Sequence, residues 1–162
     1  LIILSLDQAT KVGWSLFEDD KLIDCGLEDF SNIEFFAEKV NEIKKWYEKK
    51  IIETKAEIFA LEDVQYQKNA RVHKELSQLL GVLENYLIEK QYFYQVIPNK
   101  EWKSTCGIKG KKRKEQKANA QKFCKNKFGI EVEEDIADAI CIGWHMSKKI
   151  LPKIKIEKYK ED

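Results

Sequence analysis

ILSLDQATKVGWSLFEDDKLIDCGLE, residues 3–28, decides the fold. Residues 1–6 form an apolar run rich in β-branched side chains, which reads as a buried strand. KVGWSLFE, residues 11–18, continues as a second strand. Asp19-Asp20 makes a turn, and KLIDCGLE, residues 21–28, returns as a third strand, so this part is a hairpin. An acid, Asp7, stands where the first strand stops.

Beyond the hairpin, strands and helices alternate. Ser31 or Asn32 can cap a helix running to about residue 50, with Phe35, Phe36, Val40, Ile43 and Tyr47 on its inner side. EIFALEDV, residues 57–64, is another buried strand, with Glu62 near its end. A long helix over about 69–90 carries Val72, Leu76, Leu79, Leu80, Leu83, Tyr86 and Leu87 in a heptad-like stripe. That stripe either packs on its own sheet or, through Leu79, Leu83 and Tyr86, meets a second copy of the chain. YFYQVIP, 92–98, is a strand ended by Pro98, and 99–106 form a short helix. GIKGKKRK, 107–114, reads as a flexible basic loop before a helix that Gly129 ends. A last helix spans about 134–148, and the Lys/Glu tail after Pro152 reads as loosely held. A hairpin followed by strand–helix alternation predicts an α/β fold, a mixed five-stranded sheet flanked by helices on both faces. At 162 residues this is one domain. It is expected to fill residues 1–149, followed by a basic C-terminal tail, 150–162.

Composition narrows the class. With 43% hydrophobic and 35% charged residues the chain reads as soluble and globular. Its apolar runs are too short to span a membrane, and no secretory leader is visible, so no membrane partner is expected. The four cysteines form no CxxC pair and the two histidines lack zinc-finger spacing; buried thiols in a reducing cytoplasm are expected. Net charge is only +1, but residues 100–127 hold 11 Lys/Arg against 2 Asp/Glu, whereas 128–146 hold 5 Asp/Glu and no Lys/Arg. A basic block beside an acidic one points to a phosphate-binding surface next to a cation site.

The acids carry the chemistry. If the strands ending at Asp7 and Glu62 are central neighbours, their carboxylates emerge together, near strand ends where such sheets place ligands. Asp135 and Asp138, at i and i+3, share one helix face, while Glu133 and Glu134 face solvent. Asp138 sits one turn into the helix among Ala137, Ala139 and Ile140, where a helix-dipole role does not explain it. Four converging carboxylates repel unless hard cations join them, and Mg²⁺ prefers such oxygens. Two ions close together can activate a water and stabilise the leaving oxygen of a phosphodiester.

On these residues the chain resembles the RuvC-like Holliday-junction resolvases of the RNase H-like (retroviral integrase) superfamily, in the divergent form found in bacteriophages. The resemblance spans about residues 2–146. It rests on ILSLDQATKVGWSLF, ALEDVQYQKNARVHKELSQLLGVL, GIKGKKRKEQKANAQ and EEDIADAICIG. It implies two Mg²⁺ ions per site, with Mn²⁺ able to substitute, held by Asp7, Glu62, Asp135 and Asp138. It implies that Lys103 and Lys117 hold the scissile phosphate. It implies a homodimer joined largely through the helix after Glu62, which favours the Leu79, Leu83 and Tyr86 contact. It implies a crossover-junction endodeoxyribonuclease making paired nicks with 5′-phosphate and 3′-hydroxyl ends, acting in the cytoplasm, a host's if phage-encoded. Two departures stand out. Gln8-Ala9 follow Asp7 where many cellular members have Pro-Gly, and Gln65, with Tyr66 beside it, occupies the position of their junction-wedging aromatic. These imply a broader branched-DNA specificity, forks and flaps included.

DNA contacts are expected from Lys109, Lys111, Lys112, Arg113 and Lys114, whose charges give salt-dependent binding with little base readout. Lys68, Asn69 and Arg71 open the long helix near Glu62, where helix N-terminal amides also favour phosphate. His145 reads as structural or exposed, and the four tryptophans as core. Three other functions fit less of the sequence: an RNase H-like nuclease acting on RNA/DNA hybrid or flaps, an actin-like nucleotide binder, and a non-catalytic branched-DNA-binding protein. The second wants glycine-rich phosphate loops, and DQAT offers none.

Overall fold

The structure is a computed structural model describing the backbone of residues 1–160 and the side chains of all of these except 156 and 158–160. The hairpin segment folds as β1 (Ile2–Asp7), β2 (Lys11–Glu18) and β3 (Lys21–Asp29). Then follow α1 (Phe36–Thr54), β4 (Ile58–Glu62), α2 (Ala70–Glu89), β5 (Phe93–Ile97), α3 (Asn99–Cys106), α4 (Arg113–Phe128) and α5 (Glu134–His145). A π-helical turn (Met146–Ile150) leads into α6 (Leu151–Lys160). The sheet order is β3-β2-β1-β4-β5, with β1 antiparallel to β2 and parallel to β4. This is the expected mixed five-stranded sheet.

Each face of the sheet carries its own core. Leu4, Leu6, Phe59 and Leu61 pack under α1 and α2, against Ile43, Tyr47, Leu83 and Leu87. Ile3, Phe17, Ile58 and Ala60 pack under α3, α4 and α5, against Trp102, Cys124, Ala137 and Ile140. β1 and β4 are apolar on both sides because both of their faces are covered. Among the described residues, no helix is long and apolar enough to cross a membrane.

Several local expectations are corrected. α1 starts at Phe36, not after Ser31 or Asn32, and its N-cap position, Phe35, makes no capping bond and is 64% exposed rather than inward. β4 covers 58–62 rather than 57–64; Asp63 keeps one bond to Ile97 of β5, and Val64 lies outside the strand. Arg113 and Lys114 belong to the first turn of α4, not to the preceding loop. The loop is tied down too: Gln116 donates to the Gly110 carbonyl at 2.8 Å and Asn119 to that of Lys109 at 2.6 Å. The chain stays helical past Pro152, with Leu151 buried. Proline cannot supply the amide that an α-helix needs there, and the π-helical turn just before it absorbs the mismatch.

The largest correction concerns the dimer contact. Leu79, Leu83 and Tyr86 are 1%, 0% and 5% exposed, packed with α1 and the sheet. Leu79 and Leu83 are spent on the chain's own core and cannot meet a partner, whereas Tyr86 packs into that core and also lines a groove between α1 and α2. The outward side of α2 presents Gln78, Val82, Asn85 and Glu89 to the same groove, which Phe36 and Ala37 of α1 share.

Candidate active site

Side chains alternate along a strand, so parity decides where each acid points. Ile3 of β1 and Ile58 and Ala60 of β4 face α5; Asp7 and Glu62 keep the same parity and face it too. Leu6 and Leu61 are the last paired residues of the two strands. The acids therefore leave the sheet side by side, at the strand ends.

α5 meets them because β2 lets it come close. Gly13 lies opposite Asp7 in the sheet, and a Cβ on it would stand 2.0 Å from the Asp135 carbonyl oxygen. The Ser15 hydroxyl donates to the Ala139 carbonyl at 2.8 Å, and Gly143 lies flush on Phe17 and Ser15. Three contacts along one strand thus set the height and rotation of α5. Asp7, Glu62, Asp135 and Asp138 all line one cleft of about 430 Å³, together with Lys103, Lys111, Arg113 and Lys117.

Electrostatics mark this as an unbalanced site. Burial, then Glu62, Asp138 and Asp135, push the Asp7 carboxyl well above the usual carboxylate range, with Lys117 opposing. Burial and Asp138 raise Glu62 to about 7, against the pull of Lys117, Lys103 and Arg113. Burial raises Asp138 further than its ion pair with Lys117 lowers it. Lys117 loses from burial but gains more from Asp138 and Asp7, so its ammonium is held above its ordinary value. Burial lowers Lys103, whose ammonium donates to Gln116 Oε1 at 2.7 Å.

The donor set fits hard divalent cations. Every candidate ligand is a carboxylate oxygen, and the buried Glu62 Oε2 has no hydrogen-bond partner. Among the described residues no three such groups stand as a closed ligand set; the Lys117 ammonium takes Asp138 Oδ2. Lys117, Lys103 and Arg113 face the gathered carboxylates, and burial first, then mutual repulsion, still leaves Asp7, Glu62 and Asp138 raised.

A stability consequence follows with its sign. Between pH 4.5 and about 7 the folded chain holds a proton on Glu62 that the unfolded chain has lost. Stability falls as pH rises through that window, on the order of 3 kcal/mol from Glu62 alone. Asp7 and Asp138 act in the same direction. Asp19 and Asp29 are lowered, with effects below this window, while burial lowers His145, which opposes the three acids from within it. Melting in EDTA is expected at a lower temperature at pH 8 than at pH 5, with Mg²⁺ restoring the loss at pH 8. A midpoint that climbs with pH in EDTA would contradict this.

The other expected residues divide. Lys111 and Arg113 line the cleft; Lys109, Lys112 and Lys114 are exposed and lie outside its lining. Lys68 and Arg71 are exposed beyond it, Arg71 donating to Glu75 at 3.0 Å. The Asn69 side chain caps α2, accepting from the amides of Arg71 and Val72. Tyr66, next to the exposed Gln65, lines the cleft and is 85% exposed. Trp102 is core, and His145 is buried, its Nδ1 2.6 Å from the Thr105 hydroxyl. Three contributors escaped the sequence reading: Gly13, which admits α5; Gln116, which links Lys103 to the basic loop; and Gln8, which is hydrogen-bonded to Glu62. Only a glycine inside a strand hints at close approach by another backbone; the two glutamines carry no such hint.

No protein-family model matches the chain, and no curated protein sequence matches it. Solved structures do. RuvC of Thermus thermophilus in complex with a Holliday junction substrate aligns with a TM-score of 0.75 at 13% identity, over 91% of this chain and 93% of that one. The fowlpox virus resolvase, in complex with Holliday junction DNA, aligns at 0.67 and 15% identity, over 93% of this chain and 99% of that one. The yeast mitochondrial Holliday junction resolvase Ydc2 aligns at 0.56 and 16% identity, over 99% and 84%. The chain thus has the RNase H-like fold of these resolvases.

Proposed function

We propose that this chain is a metal-dependent, structure-selective DNA endonuclease that resolves Holliday junctions and nicks other branched DNA. The observation that carries this reading is the gathering of Asp7, Glu62, Asp135 and Asp138 with Lys103, Lys111, Arg113 and Lys117 in one cleft. The fold adds support, since proteins sharing it include two solved with Holliday junction DNA.

Asp7, Glu62, Asp138 and Asp135 would hold Mg²⁺, or Mn²⁺, two ions to a site. When bound, these supply an acidified water and charge neutralisation at the scissile phosphodiester. The chain's own residues do the rest. Lys117 and Lys103 face the carboxylates from α4 and α3 and offer their ammonium groups to the phosphate oxygens. Lys111 and Arg113 extend that positive wall along the strand, and the exposed Lys109, Lys112 and Lys114 meet the backbone further out. Tyr66, projecting at the mouth, is placed to stack on an unpaired base at the branch. Hydrolysis leaves 5′-phosphate and 3′-hydroxyl ends.

Paired nicking requires two such clefts, hence a homodimer. The outward side of α2, with the groove at Phe36, Ala37, Gln78 and Val82, is the apolar surface that suits a second copy.

Incubation of the protein with labelled four-way junctions, forks, linear duplex and RNA–DNA hybrid, in Mg²⁺ or EDTA, tests the reading. Paired, Mg²⁺-dependent nicks near the branch point are expected, from a protein that sediments as a dimer. Cutting confined to the hybrid would replace it with an RNase H-like hybrid nuclease. Binding of branched DNA with no cutting in any divalent metal would leave only a binding module.

A further inference from the structure

Gln8 follows the first strand acid and is 7% exposed. Its side-chain amide donates to the Glu62 carbonyl at 2.6 Å, and its amide oxygen accepts from the Glu62 N–H at 3.1 Å. This is the two-point pattern by which one strand's backbone pairs with another, made here by a side chain. It matters where it occurs. The β1–β4 ladder ends at Leu6 and Leu61, one step before Asp7 and Glu62, so the strands would otherwise be free to part where the acids emerge. On its other side β4 is held by β5, with Glu62 paired to Ile97 and the Asp63 N–H donating to the Ile97 carbonyl at 3.0 Å.

We propose that Gln8 is a positioning residue: by pairing its side chain with the Glu62 backbone, it fixes the spacing of the Asp7 and Glu62 carboxylates and so sets the affinity of the site for divalent cations. The role rests on the nuclease reading above. Gln8 lines the same cleft, but both of its side-chain hydrogen bonds go to the Glu62 backbone, so it acts through Glu62. Loss of the amide has two effects. The part-buried Glu62 N–H and carbonyl lose their partners, which costs stability where water reaches them poorly. The Cα–Cβ direction of Glu62 also gains freedom relative to Asp7, and misplaced ligands bind metal more weakly. Partners that orient metal ligands typically cost about 10–100-fold in affinity when removed. The same bond distinguishes Gln8 from other residues at this strand end: Ala9 has no side chain able to make it.

The test uses Gln8→Met, which keeps length and burial but makes neither bond, and Gln8→Asn, whose amide is too short to reach. A core variant on the opposite face, Ile51→Val, serves as a stability control. Three readouts are compared with wild type: Mn²⁺ affinity by electron paramagnetic resonance, hydrogen exchange of the Glu62 amide in metal-free protein, and junction affinity in EDTA. Both Gln8 variants are expected to bind Mn²⁺ about 10–100-fold more weakly. They should exchange the Glu62 amide at least about tenfold faster, while holding junction DNA as wild type does; Ile51→Val should change none of these. Wild-type Mn²⁺ affinity in Gln8→Met overturns the positioning role and leaves the nuclease reading standing. A wild-type protein that binds no Mn²⁺ overturns both. If Gln8→Met does not fold, Gln8→Asn decides alone.

Discussion

Asp138→Asn will cut junctions at a small fraction of the wild-type rate, lower by about 10²–10³-fold or more, and will still bind them. Asp138 is the deepest acid on α5, 4% exposed, and forms an ion pair with Lys117 in the cleft shared with Asp7 and Glu62. Asparagine keeps its shape and removes its charge. The fold should survive, because Asp138 is already pushed up by burial, and its loss relieves repulsion on Asp7 and Glu62. On the proposed reading, DNA would be held by Lys103, Lys111, Arg113 and the exposed lysines, which this change leaves intact. Single-turnover cutting of a labelled junction, beside a gel-shift titration in EDTA, separates the two effects. Cutting at the wild-type rate would remove Asp138 from the site, and lost binding with lost cutting would make its role structural.

Gly13→Ala will be nearly as damaging for a different reason. Its Cβ would lie 2.0 Å from the Asp135 carbonyl oxygen and 2.5 Å from the carbonyl carbon. Those are backbone atoms of the first turn of α5, so no side-chain rotation can make room. The helix must retreat by roughly an ångström, at a cost of about 1–3 kcal/mol for an overpacked contact. The retreat carries Asp135 and Asp138 away from Asp7, and a misplacement of that size costs about 10²-fold in rate. Calorimetry should record a melting temperature lower by several degrees, and junction cutting should fall far more than stability explains at the assay temperature. An alanine variant with wild-type melting and cutting would mean that α5 does not need its close approach to β2.

These two positions also separate what could be read from the chain and what could not. Asp138 was legible, because a carboxylate one turn into an apolar helix conflicts with its neighbours and asks for a reason. Asp7 and Glu62 were legible because each ends an apolar strand. Gly13 was one glycine in KVGWSLFE, and its importance depends on which helix crosses β2. Gln8 stood out only as a departure from Pro-Gly, and its amide is explained only by a β4 backbone 54 residues away. Leu79 and Leu83 had the right period for a seam, but periodicity gives the face of a helix and not what covers it. α1, lying across that face, settled the matter.

By itself, the order of residues determined the alternation of strands and helices, the mixed sheet, and which acids end which elements. These are local consequences of side-chain period and of turn and cap chemistry. Tertiary structure decided which acids meet, because strand parity and the pairing of β1 with β4 set direction and spacing together. It also decided which apolar stripe was consumed by the core. Both outcomes come from contacts between segments far apart in sequence, whose mutual fit no local pattern encodes.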